Sequence, residues 1–160
     1  MRLLGILLTV LLLASVCLAE KTWSSAPDKL SMKAGDDFQK TTDAPEGTSL
    51  ALFSEKKNAQ LLLTKSGGEV STDQFIKAFP VLSEEQKFKV ESGPTKLTVA
   101  GTPAVLYELQ KANIPNYHTI YVYVGRGGKK AYSLILNYPA PRDAAMVTMM
   151  KQVLSSIKHQ

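Results

Sequence analysis

The C-terminal third of the chain carries two successive apolar patterns. Two β-branched and aromatic runs, at 119–124 and 131–138, are separated by a glycine-rich stretch at 125–128, which is typical of a hairpin turn. Apolar side chains then recur at helical spacing, and this stripe consists of Met146, Met149, Met150, Val153, Leu154 and Ile157. The pattern predicts a hairpin whose sheet is covered on one face by a long closing helix.

The middle of the chain predicts further hairpins. Apolar runs at 50–53 and 61–64 flank a short polar segment, which indicates a first hairpin. Apolar and polar positions alternate at 87–91, and the alternation resumes at 97–110 around a turn at 101–103. Because hairpin connections make neighbouring strands antiparallel, we expect an α+β fold with a largely antiparallel sheet of six or seven strands.

One short helix is predicted between two of these hairpins. Ser71 and Gln74 match a capping box, in which the serine side chain accepts the Gln74 amide and the glutamine reaches back to the serine amide. The buried face of the helix is formed by Phe75, Ile76 and Phe79. Pro80 is expected to end the helix, because proline has no amide hydrogen to donate.

Residues 1–19 have the pattern of a secretory signal peptide. A basic start precedes an apolar run, and the small residues Cys17 and Ala19 suit cleavage between Ala19 and Glu20. An uncleaved membrane anchor is one alternative for this segment. Lipid attachment at Cys17, the only cysteine, is another, although Val16 is bulkier than lipoprotein signals favour at that position. The sequence therefore predicts export, with membrane contact only through this segment before processing.

Composition and charge favour a soluble single domain after cleavage. The formal net charge of +5 becomes +4 without Arg2, and lysines are interspersed with acidic residues, which argues against nucleic-acid binding. Residues 20–28 have the composition of a flexible leader, within which Trp23 is expected to fold back onto a groove. Residues 29–160 have the length of one domain. Without a cysteine, that domain must be stabilised by its core alone.

The order of these elements resembles the PsbP-like superfamily. A turn of the form Gly101-x-Pro103-Ala104 precedes a long strand, and a hairpin rich in aromatic residues is followed by the closing helix. The resemblance covers residues 30–157. It implies an α/β/α sandwich around the antiparallel sheet and a role in binding without catalysis or cofactor. No residue of this sequence corresponds to a metal ligand of the family.

Residues that could carry catalytic chemistry are few. His118 is placed at the start of a strand, and a small exported hydrolase or metal-dependent enzyme would use it with a carboxylate brought near by folding. A metal site would need two or three further ligands, and no suitably spaced histidine or cysteine accompanies it. We therefore expect no catalytic residue, no metal ligand and no enzyme.

A surface for a partner is expected at the tip of the C-terminal hairpin. The glycine turn brings Arg126, Lys129 and Lys130 together, and Tyr121 and Tyr123 project from the adjoining strand on one sheet face. Aromatic rings beside a basic tip are typical of protein-contact surfaces. The alternative is that the helices cover both tyrosines and the lysines only keep the domain soluble.

The hypothesis that fits these patterns best is an exported, non-catalytic binding or assembly module of the bacterial envelope or periplasm. Its partner would be another exported or envelope protein. The alternatives are an exported enzyme that uses His118 and an envelope protein attached to lipid through Cys17.

Overall fold

The computed structural model describes residues 20–65, 70–114, 116–125, 131–139 and 141–160. These residues form ten strands and two helices. The strands are β1 (Glu20–Ser25), β2 (Leu30–Gly35), β3 (Gln39–Lys40), β4 (Thr48–Ser54), β5 (Ala59–Lys65), β6 (Phe88–Val99), β7 (Thr102–Lys111), β8 (Tyr117–Val124), β9 (Tyr132–Pro139) and β10 (Lys158–His159). The helices are α1 (Thr72–Glu85) and α2 (Ala144–Ser156).

Seven strands form the main sheet, in the spatial order β3-β4-β5-β9-β8-β7-β6. Every pair of neighbours is antiparallel. Strands β3 to β5 are consecutive neighbours in one part of the sheet, and strands β6 to β9 are consecutive neighbours in the other. The two parts join where β5 pairs with β9, which places Leu62 beside Ile135. The fold is α+β with an antiparallel sheet, as the sequence predicted.

A second sheet contains β1, β2 and β10, all antiparallel, and it includes the segment predicted to be flexible. The prediction of a flexible leader at 20–28 is wrong for Glu20–Ser25, which pairs with β2 along its whole length. Trp23 and Ser25 are buried and alternate with exposed neighbours. The other side chains of β1 are small or polar. Burial of the Trp23 indole therefore stabilises the docking of this strand, because burying one large apolar side chain contributes ~1.5–3 kcal/mol to stability.

Helix α1 begins where the sequence predicts and extends further than predicted. The Ser71 hydroxyl accepts the Gln74 amide at 3.2 Å, and the Gln74 side chain accepts the Ser71 amide at 2.8 Å, so the capping box is confirmed. The predicted end at Pro80 is wrong, because Pro80 lies inside a helix of 14 residues. Phe79 and Ser83 are buried on either side of the proline, and their packing outweighs the one hydrogen bond that proline removes.

The two helices cover opposite faces of the main sheet. On one face, α2 and the second sheet share a core with β4, β5, β7, β8 and β9. The buried part of the predicted α2 stripe consists of Met150, Val153, Leu154 and Ile157. On the other face, α1 packs over β6, β7 and β8. The domain is therefore an α/β/α sandwich with a small second sheet beside α2.

Candidate functional site

Helix α1 covers only part of the sheet face on which it lies. It packs on β6, β7 and β8, while β9 and β5 continue the sheet beyond the helix. An open concavity of about 550 Å³ results, which we call the α1 groove. The groove is lined by Phe75, Phe79, Leu82, Ser83 and Gln86 near the helix, by Leu62, Phe88, Leu109, Lys111, Tyr117, Thr119, Tyr121, Ile135 and Asn137 of the sheet, and by Pro45 and Ile114 of loops.

The wall of the groove on the helix side is aromatic. The ring centroids of Phe75 and Phe79 lie 5.9 and 5.8 Å from that of Tyr121, which projects from β8. Burial is the main cause that raises the pKa of Tyr121. Deeper in the core, Phe75 stacks on Tyr123 at 4.0 Å and Phe79 stacks on Tyr107 at 3.8 Å. This ring packing fixes the position of the aromatic wall.

The floor of the groove has polar groups that bond to one another. Tyr121 lies directly opposite Ile135 across β8 and β9. One step along the same face, the Thr119 hydroxyl donates to Asn137 Oδ1 at 2.8 Å. The hydroxyls of Tyr121 and Ser133 are also 2.8 Å apart. These hydrogen bonds lie within the floor, and most of the residues that line the groove are apolar.

The rim of the groove is exposed and carries one charge. Leu82 of α1 is 42% exposed, and Ile114 of the β7–β8 loop is 46% exposed. Lys111 is the only charged residue among those described as lining the groove, and no ion pair joins it to another described side chain. Continuing the β7–β8 register places Lys111 opposite Tyr117, whose pKa is raised by burial.

The partner surface predicted from the sequence falls partly inside the core. Tyr121 and Tyr123 share one sheet face, as predicted, but α1 packs on that face. Tyr123 is fully buried and its hydroxyl donates to a backbone carbonyl just before α1 at 2.8 Å, so its predicted role as a contact residue is wrong. Tyr121 is partly exposed in the α1 groove. Arg126, Lys129 and Lys130 lie outside the described residues, and their part in the surface stays a prediction.

His118 has a carboxylate within reach and is buried. Its Nδ1 lies 3.0 Å from Glu91 Oε2, and its ring centroid lies 5.6 Å from that of Tyr138. The residue is 7% exposed and does not line the α1 groove. A general base must come within hydrogen-bond distance of the proton that it removes. The contacts of His118 therefore fit a structural role.

A second concavity, of about 450 Å³, lies at the start of α2 and contains two cations that are already paired. Arg142 donates to both carboxylate oxygens of Glu108 at 2.6 and 2.8 Å, and these hydrogen bonds raise the pKa of Arg142. Lys57 pairs with Asp37. Burial works against ionisation of Asp37, but hydrogen bonds from Lys57 and Ser54 outweigh it and lower its pKa. We therefore favour the α1 groove as the functional site.

Sequence patterns do not single out the rim residues of the groove. Leu82 lies beyond Pro80, where the helix was predicted to end, and Ile114 lies in a predicted loop. Both are large apolar residues outside the predicted core, and this is the signal that could have found them. No such signal marks Lys111, because the groove beside it depends on the pairing of β5 with β9, two strands that are far apart in the sequence.

Two features of the described part of the chain bear on metal binding and on membrane contact. No three histidine, cysteine, aspartate or glutamate side chains come close enough there to hold a metal ion. No helix in that part is both long and apolar enough to cross a membrane. Cys17 and Ala19 lie outside the described residues, and Glu20 is the first residue of β1.

The sandwich and its partly covered sheet place the domain in the class of PsbP-like folds. The cyanobacterial PsbP protein CyanoP of Synechocystis is similar over 92% of this chain and 96% of its own, with 11% identity and a TM-score of 0.60. The Ran-binding protein Mog1p of Saccharomyces cerevisiae is similar over 89% of this chain and 96% of its own, with 9% identity and a TM-score of 0.59.

A third solved structure of this fold is LpqN of Mycobacterium tuberculosis, a protein involved in cell envelope biogenesis. It is similar over 88% of this chain and 90% of its own, with 13% identity and a TM-score of 0.56. No known protein family and no curated protein matches the chain by sequence. The resemblance to the PsbP-like superfamily is confirmed at the level of the fold, which is what such low identities show.

Proposed function

We propose that this chain is an exported, non-catalytic binding module of the bacterial envelope or periplasm, and that it binds another exported or envelope protein at the rim of the α1 groove. The observation that carries the proposal is the exposure of Leu82 and Ile114, 42% and 46%, beside a concavity with an aromatic wall. Large apolar side chains left exposed around a concave surface are typical of contact sites.

The proteins of similar fold give further support. One of them is a Ran-binding protein, and its role is to bind another protein. Another is involved in cell envelope biogenesis, which suits a chain whose first residues resemble an export signal. His118 is buried, pairs with Glu91 and does not line the groove, and this supports the non-catalytic part of the proposal.

Single substitutions at the rim test the proposal. Leu82→Glu and Ile114→Glu should each lower capture of the partner from the exported fraction by about tenfold or more, because a charge buried in an apolar contact costs ~1–3 kcal/mol or more. Val81→Glu is the matched control, since Val81 is 60% exposed on the same helix and does not line the groove. Quantitative mass spectrometry of the captured proteins identifies the partner. Equal capture by the three variants would contradict the proposal.

Export is tested separately, by the mass of the processed chain. We expect the chain from the exported fraction to begin at Glu20, because the pattern of small residues suits cleavage after Ala19. A chain that begins at Cys17 with an added acyl mass would replace this cleavage with lipid attachment. A chain that retains residues 1–19 would indicate an uncleaved anchor.

A further inference from the structure

We infer that the interior of the α1 groove binds a small apolar acid, a molecule with a flat aromatic body and a single carboxylate. The body would lie against the aromatic wall, and the carboxylate would lie beside Lys111. This inference goes beyond the protein contact proposed at the rim, because it concerns the floor and wall of the groove and needs no protein partner.

The dimensions of the groove suit such a molecule. Its volume of about 550 Å³ falls within the ~300–1,000 Å³ of sites that hold small organic ligands. The groove is formed by side chains that pack firmly against one another, since Phe75 and Phe79 are each 93% or more buried against the sheet. A ligand would therefore enter a site that already has its shape, and little ordering would oppose binding.

The wall and the floor select an apolar body. Phe75, Phe79 and Tyr121 present aromatic rings, and aromatic ligands gain from offset or edge contacts with such rings. The polar groups of the floor are paired with each other, as Thr119 is with Asn137. An apolar ligand leaves these hydrogen bonds intact.

The charge of the groove selects an acid. Lys111 is the one charged residue among the described residues that line it, and it forms no ion pair with a described carboxylate. Continuing the β7–β8 ladder by one pair places Tyr117 opposite Lys111, and facing residues have Cβ atoms ~4.5–5.5 Å apart, so one carboxylate can lie beside both. One ammonium group and one hydroxyl donor match a single carboxylate.

Paired neutral and acidic probes test this inference by isothermal titration calorimetry at pH 7 and low salt. 2-Naphthoate should bind about threefold to fivefold more tightly than 2-naphthamide, which has the same ring but no charge. Lys111→Gln should remove the difference and leave the binding of the amide unchanged. Lys89→Gln is the matched control, because Lys89 is exposed on neighbouring β6 and does not line the groove.

Methyl NMR spectra locate the bound probe in the same samples. The signal of Ile135, in the floor of the groove, should shift on addition of 2-naphthoate, while that of Ile120, buried on the opposite sheet face, should not. Absence of binding by both probes, equal affinities for acid and amide, or a shift confined to Ile120 would overturn the inference. Binding of the acid without capture of any protein would overturn only the contact proposed at the rim.

Discussion

The two faces of the main sheet are built from the same strands and are covered to very different extents. One face lies under α2 and the second sheet, and Leu61 and Leu136 of this face are 0% exposed, as is Met150 of the covering helix. The other face lies under α1 alone, and Tyr121 and Ile135 remain partly exposed beside the helix.

The difference teaches how one sheet serves both stability and binding. Successive side chains of a strand point to opposite faces, so neighbouring residues such as Leu136 and Ile135 have opposite surroundings. The closed face contributes most of the buried apolar surface. The open half of the other face can bind a partner without first losing core contacts. Substitutions that fall on one face and spare the other can break or sharpen this comparison.

The largest effect is expected for Met150→Pro in α2. The substitution removes a helical hydrogen bond, clashes with the preceding turn and takes a fully buried side chain from the closed face, so it should cost ~3 kcal/mol or more. Urea or thermal unfolding measures the loss, with the exposed Lys151→Ala as control. A proline is compatible with helix α1, which contains Pro80. Position 150 of α2 differs, because Met150 lies in the core. A melting temperature within a degree or two of the parent would mean that α2 is not integral.

A pair of neighbouring substitutions on β9 compares the faces directly. Leu136→Ala should cost ~2–5 kcal/mol, because it leaves a cavity in the closed face. Ile135→Ala should cost about 1 kcal/mol, because the side chain is only partly buried in the groove. Urea unfolding measures both losses of stability. Similar losses at the two positions would show that the faces are equally closed.

A pH-dependent effect of intermediate size is expected for Tyr132. Burial raises its pKa to about 12, above the ~10 of the unfolded chain, so its contribution to stability is complete below pH 10 and is lost as the pH rises towards 12. Its hydroxyl also has no hydrogen-bond partner among the described residues.

Tyr132→Phe should therefore lose less stability than the parent between pH 10 and pH 12, by on the order of 1 kcal/mol. Urea unfolding at pH 8, 10 and 11.5 measures the difference. Tyr117→Phe, in the groove, should reduce the loss of stability at high pH by less than Tyr132→Phe does, because Tyr117 is the more exposed of the two tyrosines. Parallel losses in the parent and in Tyr132→Phe would refute this account of the residue.

The smallest effects on stability are expected at the rim of the groove. Lys111→Gln and Leu82→Glu should each change the free energy of unfolding by about 0.5 kcal/mol or less, because both side chains are exposed and lie outside the core. The same unfolding experiment checks this. A large loss at either position would mean that the rim serves the fold, and the binding tests would then need other variants.

Sequence patterns predict the features of this fold that depend on nearby residues. The capping box of Ser71 and Gln74 requires only residues within one helical turn, and the structure contains both of its hydrogen bonds. The stripe of α2 follows from helical spacing alone, and Met150 lies at its buried centre. The failures at Pro80 and at Glu20–Ser25 arise where distant packing overrides local preference.

The groove could not be predicted because it depends on which strands are neighbours. β5 pairs with β9, which lies far along the chain, and alternation of apolar residues does not specify such a partner. How far α1 reaches across the sheet follows from the same pairing. The sequence does indicate one buried polar contact on the opposite face. Glu108 lies two residues from the core-facing Leu106 and so points to the same face, which predicts that its charge needs a partner. In the structure Glu108 is buried and pairs with Arg142.

The central claim, that the chain binds its partner at the rim of the α1 groove, is tested most directly by photo-crosslinking in the exporting cell. A benzophenone amino acid is introduced in place of Leu82, Ile114 or Val81, and the crosslinked products are compared after irradiation. We predict one product of defined mass from Leu82 and Ile114, which line the groove, and none from Val81, which does not. The same product from Val81, or none from the two groove positions, would contradict the claim.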